Sequence, residues 1–416
     1  MQLYTSAYRS PGGNEKTNEL KRLFAAVKAR TPAVTPCPSK DPFPADGRVR
    51  AVYYGGERSG GRQSRVFAYL GFPENASAAR PVPAVVAVAG GGCHAWAEWV
   101  RYWVDHGYAA ISPDGFGQHY VGPDRAYAAT DPACWAVDPL SHVPMAGFTD
   151  REKPLQEQWF YHYIADMLLA NSLLRADPRV DENRVGLTGI SWGGVGAGTA
   201  VCYDDRFAFA APVYGGGFLD RSGSPWAEGF GGPGVSDVWD AALLLPEVRT
   251  PVMWFNGDND PFFSADCTTA SAAASPNGAA TLVFDLIHGM DQGTVLPELL
   301  RFANERTGMG AGNVHITDFD FNAEAASARF TLPGDGAAPE LGIYYRFSPL
   351  DYEGPKRKDC PDLIEPWKYA KGDVCGGAGR VRIPAGTKLF YLAVSCTTPN
   401  GGPDAPIRAT TGVFAL

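Results

Sequence analysis

The pattern of apolar and polar positions changes character three times along the chain. Leu20, Leu23, Phe24 and Val27 fall at i, i+3, i+4 and i+7, one face of a helix, and predict an amphipathic helix over 14–30 packed on the domain that follows. Residues 31–47 are rich in proline and turn formers and read as a linker. Strand-like runs at 49–54 and 65–70, with Gly-rich turns between them, suit the antiparallel start of a sheet. The pattern then shifts. Residues 82–89 are apolar without a break, as expected of a strand buried on both faces. Residues 95–106 read as helix, 108–112 as the next buried strand and 155–176 as a long helix. Further strands are predicted at 184–189, 207–214, 251–256 and 281–286, with a closing helix over 294–306. Two irregular stretches, 115–153 and 215–249, interrupt this alternation, and loops so long inside a compact domain are usually functional.

Alternating strands and helices with right-handed crossovers predict an α/β fold: a mostly parallel sheet covered by helices on both faces. Ligands in such sheets sit beyond the carboxyl ends of the strands. From about residue 312 short strand-like runs (314–321, 327–332, 341–346, 379–383 and 390–396) alternate with Gly, Pro and Asp. This tail predicts a small β-sandwich-like domain. The expected organisation is an N-terminal helix and linker over 1–47, a catalytic domain over 48–310 with insertions at 115–153 and 215–249, and an all-β domain over 311–416.

The 416 residues are 45% apolar and 19% charged, which is ordinary for a folded globular protein. A net charge of −9 leaves no electrostatic footprint for nucleic acid or an anionic membrane. No apolar run approaches a membrane span, and the N-terminus lacks the apolar core of a signal peptide, so a cytoplasmic protein is expected, or a secreted one if a leader has been trimmed. Eight scattered cysteines form no Cys-x-x-Cys pair and predict no zinc site. Cys360 with Cys375 or Cys396 is the expected place for a disulfide if one forms.

The chemistry concentrates in four short motifs. Gly189-Ile190-Ser191-Trp192-Gly193 follows a strand and precedes a run of small residues, which predicts a strand–turn–helix with Ser191 strained at its apex. A serine hydroxyl needs a base, a group that orients the base, and donors for the oxyanion. In this motif's fold the chain order is serine, acid, histidine. Asn256-Gly257-Asp258-Asn259-Asp260 supplies the acid after an apolar strand, Asp260 ahead of Asp258, and His288 follows the last strand as base. Ala89-Gly90-Gly91-Gly92-Cys93-His94 ends another strand, and three glycines let backbone amides approach a substrate oxygen. The expected oxyanion donors are Trp192 with Gly91, or Gly92 as second choice. No Gly-Lys-Ser/Thr follows, which excludes a phosphate loop. Trp96, Trp192 and Phe262 lie in or beside these loops and are the expected substrate contacts. No cofactor and no metal are called for.

The stretch 180–194, continuing through Asp205-Arg206-Phe207 and Pro212-Val213-Tyr214-Gly215, resembles bacterial acetylxylan-esterase-like α/β-hydrolases, in the dienelactone hydrolase and prolyl-peptidase-like branch of that superfamily. Glu98-Trp99-Val100, Trp254-Phe255-Asn256-Gly257-Asp258-Asn259-Asp260 and His288-Gly289 carry the same resemblance, over roughly 65–305. It implies Ser191 as nucleophile, Asp260 as acid and His288 as base. One departure stands out: many relatives begin the glycine loop with histidine, where this chain has Ala89. The expected function is a serine carboxylic-ester hydrolase that removes short acyl groups from a small-molecule or oligosaccharide ester. The alternatives are a prolyl-peptidase-like serine peptidase, with Glu98 or Glu157 reading a peptide amino terminus, and a non-enzymatic carbohydrate-binding protein.

Overall fold

The computed structural model describes residues 8–123, 131–221, 227–283, 288–310, 312–334, 338–350, 365–397 and 407–416. Helix α1 (Glu15–Lys28) opens on a reciprocal cap: the Thr17 amide donates to the Asn14 side chain, and the Asn14 amide donates to Thr17 Oγ1. Leu20, Phe24 and Val27 are buried on its inner face, where Phe24 meets the rings of Tyr161 and Tyr203.

The central sheet takes β1 (Val34–Pro36), β2 (Val49–Ser59), β3 (Arg62–Gly71), β4 (Val82–Val88) and, after α2 (Ala97–Asp105), β5 (Ala109–Pro113). A hairpin of β6 (Gln118–Tyr120) and β7 (Trp135–Val137) stands in the first insertion. The long α3 (Trp159–Ala176) leads to β8 (Val180–Ile190), α4 (Trp192–Ala200) and β9 (Phe209–Val213). The second insertion carries the short α5 (Ala227–Phe230). Then come β10 (Val252–Gly257), α6 (Ala265–Ala274), β11 (Gly278–Val283), α7 (Met290–Gly293) and α8 (Pro297–Thr307). The sheet order is β1-β2-β3-β5-β4-β8-β9-β10-β11. Its first three strands and the β3–β5 pair are antiparallel, and the six strands from β5 onward are parallel. Every residue of β4 is buried. Burying a valine side chain such as Val85, Val86 or Val88 contributes roughly 1.5–3 kcal/mol, so the unbroken apolar run stabilises the middle of the sheet.

The predicted α/β fold class is borne out. Three local features differ from expectation. The 31–47 stretch contains β1, whose three exposed residues pair with β2 at the sheet edge. Helix α6 has no apolar periodicity to announce it; its Ala, Thr, Ser and Cys residues are held by burial from Ala265 to Ser271. The last strand runs Gly278–Val283, earlier than the expected 281–286, and 284–287 lie outside the described residues.

The tail forms β12 (His315–Phe321), β13 (Ala325–Thr331), β14 (Ala338–Arg346), β15 (Lys368–Lys371), β16 (Asp373–Cys375), β17 (Ala378–Arg382), β18 (Leu389–Thr397), β19 (Ile407–Thr410) and β20 (Phe414–Ala415). One sheet runs β12-β13-β17-β16, the other β15-β14-β18-β19 with β20 also paired to β18. Phe330, Leu341, Ile343, Val381, Phe390 and Val394 fill the space between them. A separate apolar cluster joins these sheets to the α/β part of the chain: Leu350, Trp367, Leu389, Tyr391 and Val413 pack on Ala265 and Leu282. Cys375 and Cys396 are free thiols, and Cys360 lies outside the described residues.

Candidate active site

Ser191 sits between β8 and α4 with φ 58° and ψ −120°, a conformation L-residues adopt only when the surroundings enforce it. The flanking glycines show what enforces it. A Cβ on Gly189 would stand 2.1 Å from the Gly193 carbonyl oxygen, and one on Gly193 would stand 2.1 Å from the Val88 carbonyl oxygen. Strand, turn and helix therefore meet backbone to backbone, and the Ser191 side chain is thrown clear of the sheet.

The acid and the base reach it from the next strands. His288 Nε2 lies 2.8 Å from Ser191 Oγ, and His288 Nδ1 lies 2.8 Å from Asp260 Oδ2. The other carboxylate oxygen of Asp260 accepts the Phe262 and Phe263 amides at 2.8 and 3.0 Å, which fixes the carboxylate in the turn after β10. Asp260 is buried and His288 half-buried. The rings of Tyr214, Phe262 and Phe263 surround the imidazole at centroid distances of 4.7, 5.0 and 5.8 Å. A serine hydroxyl, an imidazole with one nitrogen turned to it, and a carboxylate on the other nitrogen form the arrangement that a nucleophile, a base and an orienter require.

Asp258, the second acidic candidate, points elsewhere. Its carboxylate accepts the Tyr391 hydroxyl at 2.7 Å, and its carbonyl accepts the Trp367 indole N–H at 3.0 Å, both from the C-terminal domain.

The glycine loop lies against the serine. A Cβ on Gly90 would stand 2.7 Å from Ser191 Cβ, and one on Gly91 would stand 2.7 Å from Trp192 Cδ1. Gly91 and Gly92 are exposed, and Gly92 takes a positive φ of 77°. Trp192 opens α4, so its amide has no acceptor within the helix. Two side chains that the sequence pattern did not single out, Tyr163 and Asp114, hold this loop. Tyr163, buried in α3, donates its hydroxyl to the Ala89 carbonyl at 3.0 Å. His94 lies 3.2 Å from Asp114 through Nδ1 and stacks on Trp135 at 4.4 Å. Neither had a local signal: Tyr163 belongs to a helix buried throughout, and Asp114 is 20 residues from His94.

The three expected substrate contacts are placed differently from one another. Trp192 is half-buried and meets Phe148 from the first insertion, Phe230 from the second, and Trp159 and Phe160 from α3. Both insertions thus converge on the residue beside Ser191. Phe262 is half-buried against the imidazole edge. Trp96 is buried in the core beside Trp99, whose indole holds the Thr294 carbonyl. A cavity of about 310 Å³ between the N-terminal segment and the second insertion contains no triad residue. Glu157 accepts the Gly60 amide, and burial raises the pKa of Glu98; no described contact links either to Ser191. Among the described residues no group of three His, Cys, Asp or Glu side chains is arranged to hold a metal ion, and no helix is long and apolar enough to cross a membrane.

Residues 46–218 match the family described as acetyl xylan esterase (AXE1). The match takes in the glycine loop and Ser191 and ends before Asp260 and His288. The acetyl xylan esterase from Paenibacillus sp. R4 superposes with a TM-score of 0.55 at 17% identity, over 73% of this chain and 99% of that one. Acetyl xylan esterase 1 from Thermoanaerobacterium sp. JW/SL YS485 superposes with a TM-score of 0.53 at 15% identity, over 71% and 95% of the two chains. No curated protein matches the chain. The resemblance to acetylxylan-esterase-like α/β-hydrolases read from the sequence is borne out, and the superpositions show the shared fold.

Proposed function

We propose that this chain is a serine carboxylic-ester hydrolase that removes acetyl or other short acyl groups from a carbohydrate. The observation that carries the reading is His288, 2.8 Å from Ser191 on one nitrogen and 2.8 Å from Asp260 on the other. In the proposed reaction Ser191 Oγ attacks the acyl carbon while His288 Nε2 accepts the hydroxyl proton. The Asp260 carboxylate holds the imidazole in the tautomer that leaves Nε2 free and stabilises the imidazolium that forms. The carbonyl oxygen becomes an oxyanion, and the Gly91 and Trp192 amides are the proposed donors to it. The C–O bond to the leaving alcohol then breaks, and that alcohol takes the proton from His288. Water repeats the sequence on the acyl-enzyme and returns Ser191 to its free form.

The carbohydrate part of the reading rests on the family matched over 46–218. The aromatic box around Trp192 suits a small acyl group on one side and a sugar ring on the other. Ser191→Ala removes the nucleophile while keeping the fold, and hydrolysis of p-nitrophenyl acetate and of acetylated xylo-oligosaccharides is expected to fall by about 10⁴-fold or more. Retained hydrolysis would overturn the assignment. Cleavage of chromogenic dipeptides in place of acetyl esters would favour the peptidase alternative.

A further inference from the structure

The C-terminal domain has no part in the reaction just proposed, yet its contacts with the catalytic domain are unevenly placed. Among the described residues, His315 meets Glu305 late in α8 at 2.8 Å, while other polar contacts between the two fall on the turn after β10, on α6, on β11 and on the start of α8, the elements that flank Asp260 and His288. Tyr391 and Trp367 hold Asp258. The Thr410 hydroxyl accepts the Leu282 amide at 2.8 Å, and Thr269 Oγ1 accepts the Val413 amide at 3.1 Å. Arg408 pairs with the buried Glu298 of α8 at 3.0 Å. The elbow at Ser191 and the glycine loop take no described part in this interface.

The grip on Asp258 is the closest of these to the chemistry. Asp258 lies two residues before Asp260 in one tight turn, whose Asp258 amide donates to Val283 and whose Asp260 amide donates to Gly257. A hydroxyl on the Asp258 carboxylate and an indole N–H on its carbonyl hold that peptide from the C-terminal domain. Tyr391 is fully buried; burial first and the Asp258 carboxylate second push its phenol far up, so it remains a donor at any working pH. Resting on the serine-hydrolase reading, we infer that Tyr391 and Trp367 are positioning residues: the C-terminal domain sets the acid turn, and through it the Asp260–His288 hydrogen bond that activates Ser191. Each acts through Asp258 and touches no reacting atom. Misplacing a catalytic group by about 1 Å can cost on the order of 100-fold, so partial release of the turn suffices for a measurable loss.

The test is the rate at which a fluorophosphonate labels Ser191 in the full chain, alongside kcat and KM for p-nitrophenyl acetate. Tyr391→Phe removes only the hydroxyl; Trp367→Phe removes the N–H from Asp258 together with part of a buried ring, so its effect is read beside its melting temperature. Thr410→Val breaks a hydrogen bond of the same interface away from the acid turn and serves as the control. Tyr391→Phe is expected to lower the labelling rate and kcat by about 10-fold with KM unchanged. Trp367→Phe is expected to act in the same direction, and Thr410→Val to leave kcat near wild type whatever it costs in melting temperature. Labelling of Tyr391→Phe and Trp367→Phe at the wild-type rate would overturn the inference while leaving the hydrolase reading intact. So would losses that follow melting temperature equally in all three variants. Failure of the wild type to label at Ser191 would overturn the hydrolase reading and the inference with it.

Discussion

Two histidine–carboxylate pairs lie in the catalytic domain at nearly the same separation: His288 with Asp260 at 2.8 Å, and His142 with Asp166 at 2.9 Å. The first pair spends one imidazole nitrogen on its carboxylate and turns the other to Ser191. The second spends both, Nε2 on Asp166 and Nδ1 on the Val143 carbonyl at 2.6 Å. His142 is fully buried, where the first insertion meets α3, and lies parallel to His162 at 5.1 Å. Burial favours its neutral form, but the charge and hydrogen bond of Asp166, with the Val143 carbonyl, outweigh it and raise its pKa. A carboxylate beside a histidine therefore does not by itself make a base. A free nitrogen facing a nucleophile does, and the other arrangement makes a structural tie between an insertion and the helix beneath it.

Cutting each pair at its carboxylate gives the sharpest contrast. Asp260→Asn keeps the shape of the acid but not the charge that stabilises the imidazolium, and kcat for p-nitrophenyl acetate is expected to fall by about 10⁴-fold. Its urea midpoint should stay close to wild type, because the amide oxygen can still accept the Phe262 and Phe263 amides. Activity within tenfold of wild type would remove the distinction between the two pairs.

Asp166→Asn should show the reverse. It leaves His142 fully buried without its counter-charge, and breaking a buried pair in this way costs about 3 kcal/mol. Urea denaturation reads that loss, while the folded fraction at low denaturant should keep its kcat. A large drop in kcat with unchanged stability would mean that the buried pair serves the chemistry after all.

The two pairs also differ in how far the sequence could reveal them. Ser191, Asp260 and His288 are each announced locally, by glycines that only a tight turn requires or by the end of an apolar strand, and the chain order links them. The central sheet is legible for the same reason: β4, β5, β10 and residues 185–190 of β8 are short, mostly apolar runs ended by turn formers, whereas the polar start of β8 carries no such signal. What stayed hidden depends on partners far along the chain. His142 and Asp166 are 24 residues apart, and Tyr391 is 133 residues from the Asp258 it holds. Helix α6 stayed hidden too, since ADCTTASAAA carries no amphipathic period and becomes helical where small buried side chains let it pack. Trp96, expected beside the glycine loop as a substrate contact, packs in the core, with the same 8% exposure as Ser191.

At neutral pH the smallest expected effect lies in the ring stacked on the buried pair. His162 is fully buried, and its pKa is pulled down to about 3, by burial first and by the charge of His142 second. Unfolded, the same side chain takes up a proton near its ordinary value of about 6.5. Below that pH the unfolded chain therefore binds a proton that the folded chain refuses. The stability involved is present above pH 6.5 and lost as pH falls toward 3, at up to about 1.4 kcal/mol per unit. Asp166, raised to about 6 by burial against the pull of His142, works the other way, because the folded state takes up its proton first. Comparing wild type with His162→Phe, which keeps an aromatic ring against His142, isolates the histidine from that opposing contribution. Urea unfolding at pH 7, 6, 5 and 4 should show the stability difference moving steadily in favour of His162→Phe as the pH falls. A difference independent of pH would mean that His162 gains its proton in the folded state as readily as in the unfolded one, and that the stacked ring is no part of the acid sensitivity of the buried pair.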